Sequence, residues 1–210
     1  MNRNRSRAHQ AAGTGLTALL LAGLACLIAG TAAAAGLPAG IRILDPDQVL
    51  SERAMTGSDG LLYLQDREGV LRRFVTSTED PAVSNPGDGS FHPLPVASVE
   101  RALTGVDVRF LEQIGFDIYL LPYPVVEPMG SWAGERTIYL SPGVYELAEE
   151  QILFLVGHEF GHLVHRAFLP DEDLEGWARY RSLRGIEDST MFYDTAPHAN
   201  RPREIFAEDF

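Results

Sequence analysis

One stretch of the chain constrains its fold more than any other: a predicted helix from about Tyr145 to Ala167. Its middle, Ile152 to Val156, is apolar nearly all round, which predicts a buried helix at the centre of the fold. The segment 157–162 continues this helix with the sequence GHEFGH. Because burying imidazoles and a carboxylate without partners costs free energy, these polar residues indicate a functional site. Histidines satisfied by partners within the core are the alternative.

The polar residues of this helix have the spacing of metal ligands. His158 and His162 are four residues apart and therefore lie on one helical face, where two imidazoles can bind one metal ion. Neutral imidazoles suit zinc, which in catalytic sites keeps one position open for water. Glu159 is next to the first ligand and can take a proton from that water, as in the H-E-x-x-H arrangement of zinc peptidases. The motif predicts one zinc ion as the cofactor.

A third protein ligand is expected for catalytic zinc. His165 is two turns from His158, about 10 Å along the helix axis, so it is predicted to be a polar helix-end residue and not a ligand. Residues 201–210 read as the start of another helix, with a proline near its first turn. In this helix Glu204 is predicted to be the third ligand, and Glu208 the outer acceptor for a histidine N–H. A solvated acidic helix face is the alternative.

Together the two motifs resemble those of a known family. The sequence HEFGH at 158–162, followed by EIFAEDF at 204–210, resembles the gluzincin metallopeptidases, and most of all the catalytic domain of anthrax lethal factor and its relatives, which include the Pro-Pro endopeptidases. The resemblance covers about residues 93–210. It implies an α+β, zincin-like metallopeptidase domain, in which a small mixed sheet packs on the central HExxH helix and a second helix carries the third ligand, Glu204, with Glu208 beside the site.

The same resemblance implies a tyrosine shortly before the third ligand, which donates a hydrogen bond to the developing oxyanion. Tyr180 and Tyr193 lie between the two motifs, and Tyr193 is nearer the ligand, so Tyr193 is the expected donor. His198 is the alternative donor, and a purely structural role for Tyr193 stays open. The helix that carries the third ligand continues in the relatives. Either this protein is unusually short or its sequence is truncated at Phe210.

Strand-like segments surround the central helix. A hairpin is predicted from Leu61 to Val75, with its turn at Asp66–Gly69, and one or two helices run from Val96 to about Ile114. Phe116–Leu121 and Thr137–Leu140 are strand candidates. The family resemblance places the second of these at the edge of the cleft, where an extended peptide could add to it. The preceding loop, residues 131–134, is either a substrate contact or an ordinary exposed turn.

The start of the chain has the pattern of an export signal. Residues 1–35 combine a basic start, a short apolar run and an Ala-x-Ala end, and are predicted to be a signal peptide cleaved after Ala35. An uncleaved membrane anchor is the alternative, but the run is short for a bilayer span. Residues 36–92 are then an N-terminal hairpin and loop region, and residues 93–210 the catalytic domain. The predicted location is secreted or periplasmic, and the only cysteine, Cys26, lies in the predicted signal peptide.

The charge of the chain excludes some partners. The formal net charge is −12, and no lysine is present. A chain this acidic is a poor nucleic-acid binder, and it offers no basic patch for stable membrane association after signal cleavage.

The predicted function is that of an exported zinc-dependent metalloendopeptidase, whose partner is a peptide or protein substrate. Another zinc hydrolase, such as a cell-wall amidase, would use the same ligands. A non-catalytic secreted zinc-binding module is the other alternative. The presence of Glu159 argues against that module, because a purely structural site does not need this base.

Overall fold

A mixed four-stranded sheet lies at the centre of the computed structural model, which describes Leu37 and residues 40–106 and 113–210. The predicted signal peptide, residues 1–35, lies outside the described residues. None of the described helices is long and apolar enough to cross a membrane. The elements, in chain order, are β1 (Ile41–Leu44), α1 (Pro46–Arg53), β2 (Ala54–Thr56), β3 (Leu62–Gln65), β4 (Leu71–Arg73), α2 (Val96–Thr104), β5 (Phe116–Leu120), β6 (Trp132–Ala133), β7 (Thr137–Leu140), α3 (Glu149–Phe168), α4 (Leu174–Arg184), a 3-10 helix (His198–Asn200) and α5 (Pro202–Ala207).

The predicted α+β class is confirmed by two sheets that differ in pattern. In the central sheet the order is β1-β5-β7-β6, with β1, β5 and β7 parallel and β6 antiparallel to β7. The four residues of β7 are all buried, as expected for a parallel strand covered on both faces. The second sheet, β2-β3-β4, is antiparallel and contains the predicted hairpin, whose turn ends at Gly69 with a positive φ of 82°.

The side chains of the central strands alternate between two apolar cores. Ile118 of β5 and Ile138 of β7 point into the larger core, which they share with the apolar face of α3. Their neighbours Tyr119 and Tyr139 point into a smaller core, which they share with residues of the small sheet. Helix α3 is therefore held against the central sheet by one face. The prediction that it is buried nearly all round is wrong, because Leu153 and Phe154 on its other side are exposed.

Two predicted helices differ in their bounds from the structure. Helix α3 begins at Glu149 and not at Tyr145, because the Gln151 side chain accepts the N–H of Ala148 and so caps the helix there. Of the one or two helices predicted from Val96 to about Ile114, α2 ends at Thr104, residues 107–112 lie outside the described part of the chain, and residues 113 and 114 are helical.

The predicted N-terminal and catalytic regions share the central sheet. Residues 36–210 form one compact unit. Within it β1, from the predicted region 36–92, pairs with β5, from the predicted region 93–210, and Ile41 lies opposite Phe116. The assignment of separate roles to these two regions stays a prediction.

Candidate metal centre

Helix α3 presents the three residues of the predicted motif to one cleft. His158 and His162 are half-buried, and their ring centroids are 4.8 Å apart with the rings nearly perpendicular. Glu159, next in sequence to His158, is only 5% exposed. The fourfold spacing along one helix therefore brings the two imidazoles together, as the sequence predicts.

Two glycines let the C-terminal helix approach α3 closely. A Cβ atom added at Gly161 would lie 2.5 Å from the carbonyl oxygen and 2.6 Å from the Cα of Ala207 in α5. At Gly157, one turn earlier, an added Cβ would be 3.4 Å from the backbone of Phe210. Gly161 is thus the position at which a side chain on α3 would clash with α5. Sequence reasoning missed this contact, although the spacing of the two glycines was the signal for it.

This close approach carries Glu204 to the two histidines. Its Oε2 lies 3.2 Å from His162 Nε2 and 3.6 Å from His158 Nε2. One ligand atom from each of the three residues lies within 4.8 Å of the other two. The predicted set of His158, His162 and Glu204 is brought together, and this group could hold a metal ion.

The charges of these groups influence one another strongly. The buried carboxylate of Glu204 raises the pKa of His158 above its ordinary value. Burial acts to raise the pKa of Glu204 itself, but the His158 and His162 imidazoles outweigh burial and hold this pKa well below its usual range. Glu204 is therefore an anion at neutral pH, as a metal-binding carboxylate must be.

Unpartnered buried atoms indicate that the protein side chains alone do not complete the site. His158 Nδ1 and Glu159 Oε2 are buried and have no hydrogen-bond partner among the described residues. The buried Oε2 of Glu204 is close to imidazole nitrogens but forms no hydrogen bond of good geometry with them. Most buried polar atoms in folded proteins have such a partner. The set of two imidazoles and one carboxylate around these atoms fits a divalent metal ion, and it supplies three protein ligands.

Glu208 does not accept a hydrogen bond from a histidine in this structure. It is exposed at the end of α5, and the buried Nδ1 of His158 has no partner in the described part of the chain. Its carboxylate still acts at a distance, since its charge contributes to the raised pKa of His158. The predicted role of Glu208 as an outer acceptor stays a prediction.

Glu159 lies beside the group but is not one of its three members. Burial is the main cause that raises the pKa of its carboxyl to about 7, and the His158 ring partly opposes this. The side chain lines the same cleft as the three candidate ligands. A carboxylate with a pKa near neutrality can accept and return a proton under physiological conditions.

The cleft is an open space of about 610 Å³ above the candidate ligands. The prediction that Thr137–Leu140 forms the edge of the cleft is wrong. This strand is β7, which pairs with β5 on one side and β6 on the other. Residues 131–134, predicted to form a loop, contain β6, which is the edge strand of the sheet. Both residues of β6, Trp132 and Ala133, line the cleft. The Trp132 ring stacks on Tyr139, with centroids 4.3 Å apart, which holds β6 against the sheet.

The two candidate oxyanion donors occupy different places. Tyr193 is 43% exposed and is not among the described residues that line the cleft. His198 does line the cleft, and its Nε2 lies 3.3 Å from Glu204 Oε2. Tyr180, the other tyrosine between the motifs, donates its hydroxyl to Asp209 Oδ2 over 2.9 Å. The role predicted for Tyr193 stays a prediction.

His165 is outside the candidate ligand group and lies in the last turn of α3, as predicted, and it is buried there. Only 4% of it is exposed, and its ring packs edge-on against Trp177 with centroids 5.1 Å apart. Its Nε2 is 3.0 Å from Asp171 Oδ1. Helix α4 covers the end of α3 here, and a helical pattern in the sequence cannot show such a long-range contact.

Comparison with known proteins finds no relative of this chain. No protein-family model matches the chain, and no curated protein and no solved structure matches it. The candidate metal centre of His158, His162 and Glu204, with Glu159 beside it, is therefore interpreted from its own geometry.

Proposed function

We propose that the protein is a zinc-dependent metalloendopeptidase of the gluzincin type, with a zincin-like fold. The observation that carries this proposal is the convergence of His158, His162 and Glu204, with ligand atoms within 4.8 Å of one another, next to the buried carboxylate of Glu159. Three elements of chemistry are needed for metal-assisted hydrolysis: a metal site, a base and room for a substrate. Each has a candidate in the same cleft.

Zinc is the metal proposed for this centre. Two imidazoles and one carboxylate are a ligand set found in catalytic zinc sites, and three protein ligands leave a position for water or substrate. Zinc bound in this way polarises a carbonyl group and makes water a stronger acid. His158 and His162 would bind as neutral rings, and Glu204 would supply the negative charge.

Glu159 is the proposed general base. It would accept a proton from the water molecule that attacks the substrate carbonyl, and later pass a proton to the leaving amine. Its Oε2 is buried without a hydrogen-bond partner among the described residues, so the oxygen is free to accept that proton.

The proposed substrate is an extended peptide in the cleft. Strand β6 is the edge of the central sheet, and an added peptide strand could use its unpaired backbone groups. We assign the oxyanion donor to His198, because His198 lines the cleft and Tyr193 does not. Export to a secreted or periplasmic location is part of the proposal and rests on residues 1–35, which have the pattern of a signal peptide.

The test is to load the purified protein with zinc and to search for cleavage in a broad peptide library by mass spectrometry. Cleavage that a chelator abolishes and zinc restores is the expected result. Cell-wall peptides belong in the same assay, because hydrolysis of those alone would favour the amidase alternative. A zinc-loaded protein that cleaves nothing would overturn the proposed activity.

A further inference from the structure

Arg166 extends the face of α3 that carries the two candidate zinc ligands. It follows His162 by four residues, as His162 follows His158, so the three side chains lie in one row along the helix. Arg166 is exposed and lines the cleft of the candidate metal centre. A cation therefore lies at one end of the cleft, in line with the candidate metal.

The guanidinium of Arg166 has no carboxylate at ion-pair distance within the described residues. Arg203, which also lines the cleft, differs, because its Nε is 3.5 Å from Glu204 Oε1. The carboxylate of Asp171 is in the cleft too, but it lies 3.0 Å from His165 Nε2. Glu135 borders a neighbouring cavity with Arg166 but forms no ion pair with it.

Arg166 differs in this respect from several other arginines of the chain, which has a formal net charge of −12. Arginines on such a surface have many carboxylates available as neighbours. Arg67, Arg72, Arg73 and Arg101 each have one. A planar guanidinium that lacks such a partner within a cleft can bind a carboxylate through two parallel hydrogen bonds. The charge at this end of the cleft is therefore complementary to an anionic group.

We propose that Arg166 binds a carboxylate of the substrate and so sets its specificity. This inference rests on the proposed peptidase function. Four residues of helix place Arg166 about 6 Å along the axis from His162, and two residues of an extended peptide span roughly the same length. The carboxylate would therefore belong to a residue about two positions from the scissile bond. It is either an acidic side chain or the carboxyl terminus of the peptide.

Two matched peptide pairs separate these sources. In the first pair one peptide carries Glu and the other Gln at the second residue from the scissile bond, and both are amidated at the C-terminus. The pair is made once for each side of that bond. The second pair is neutral in sequence and ends in a free carboxylate or an amide two positions from that bond. In one of the two pairs, the peptide with the carboxylate should have a KM about ten-fold lower than that of its neutral partner. This is the scale of a charge-assisted hydrogen bond. The pair that shows the difference identifies the source.

The variant Arg166→Gln should remove this preference. Its KM for the carboxylate peptide should rise about ten-fold relative to its KM for the neutral peptide, with the ratio of the two kcat values unaltered. Arg166→Lys should restore part of the preference, since it keeps the charge without the planar fork. Arg179→Gln is the matched control, because Arg179 on α4 is largely exposed and pairs only with Glu175 at 3.8 Å. It removes the same charge from a site outside the cleft and should retain the preference.

A binding assay keeps this test separate from the test of the peptidase activity. Zinc-loaded Glu159→Gln should bind the carboxylate peptide about ten-fold more tightly than the neutral one, and adding Arg166→Gln should make the two dissociation constants equal. Fluorescence anisotropy of labelled peptides measures this even if the parent cleaves no peptide. Equal affinities for both members of both pairs in the Glu159→Gln protein would overturn the role of Arg166, whatever the activity. Zinc content is measured for each variant, so that loss of metal is not mistaken for loss of recognition.

Discussion

Gly161 of α3 lies against the backbone of Ala207 in α5, so close that a Cβ atom at residue 161 would be 2.5 Å from the Ala207 carbonyl oxygen. The preceding glycine of the pair, Gly157, faces Phe210 with room for a methyl group in ordinary contact, at 3.4 Å. The distance between the two helices is thus fixed at Gly161, and α5 is the helix that carries Glu204. Packing of two backbones therefore determines the geometry of the candidate metal centre.

The first prediction tests this packing. Gly161→Ala should weaken zinc binding at least about ten-fold and lower the free energy of unfolding by about 1–3 kcal/mol, since α5 must move away to admit the methyl group. Gly157→Ala is the matched control on the same helix. It should have a small effect, because alanine also favours helix more than glycine does. Competition with a zinc-binding dye and urea unfolding measure the two quantities. Equal zinc affinities for the two variants would mean that the contact at Gly161 does not position Glu204.

The second prediction separates the carboxylates of α5. Glu204→Ala should release zinc, as His162→Ala should, because each removes one of three ligands. Glu208→Ala should weaken zinc binding by about 10–100-fold at most, as the loss of an outer partner does. Elemental analysis after dialysis compares the three variants with the parent. A ranking in which Glu208→Ala loses zinc and Glu204→Ala retains it would make Glu208 the ligand.

The third prediction concerns the proposed base. Glu159→Gln keeps the shape of the side chain and removes its ability to accept a proton. The variant should bind zinc as tightly as the parent, because Glu159 is not one of the three grouped residues. Its peptide hydrolysis should fall by at least about 100-fold, the usual scale for the loss of a general base. Zinc content and peptide cleavage are measured on the same samples, and cleavage equal to that of the parent would remove Glu159 from the mechanism.

The fourth prediction concerns stability and pH in protein treated with a chelator. Burial raises the pKa of Glu159 from 4.5 to about 7, so the folded protein holds this proton more tightly than the unfolded chain does. The stabilisation that results is complete below about pH 4.5 and is lost as the pH rises to about 7. Glu159→Gln stays neutral throughout, so it should be more stable than the parent by on the order of 2 kcal/mol at pH 8, and by much less at pH 5.

Urea unfolding of both proteins at the two pH values measures this difference, and titrating groups that do not interact with Glu159 cancel in the comparison. The exposed carboxyl of Glu100 on α2 supplies the control. Glu100→Gln measures what the same substitution does at an exposed position. A Glu159→Gln protein that gains equally at pH 5 and pH 8 would show that the proton on Glu159 does not couple to folding.

The sequence predicts local features of this molecule well. The helical spacing of His158 and His162 and the pattern of acidic residues that contains Glu204 depend on neighbours three or four residues away. That spacing is visible in the sequence itself. The same kind of local pattern predicts that β5, β7 and the hairpin are β-structure. The three candidate ligands could therefore be named from the amino-acid sequence alone.

Contacts between distant segments could not be predicted in this way. Strand β6 is two residues long, and only its pairing with β7 makes it the edge of the sheet. His165 is buried because α4 folds back over the end of α3, and Gly161 matters because Ala207 lies against it. Each of these facts depends on a partner more than five residues away in the chain. The pattern of one segment does not contain that information.

The separation of the ligands along the chain has a further consequence. His162 and Glu204 are joined by a loop of about forty residues, and a zinc ion bound to both would close that loop as a cross-link does. The chain has one cysteine and so no intramolecular disulfide. A metal ion is therefore the cross-link that is available between α3 and α5. Packing of the C-terminal segment on α3 and binding of the ion would then be coupled in a single equilibrium. Metal supply in the surrounding compartment would then affect how long the protein stays folded as well as the proposed activity.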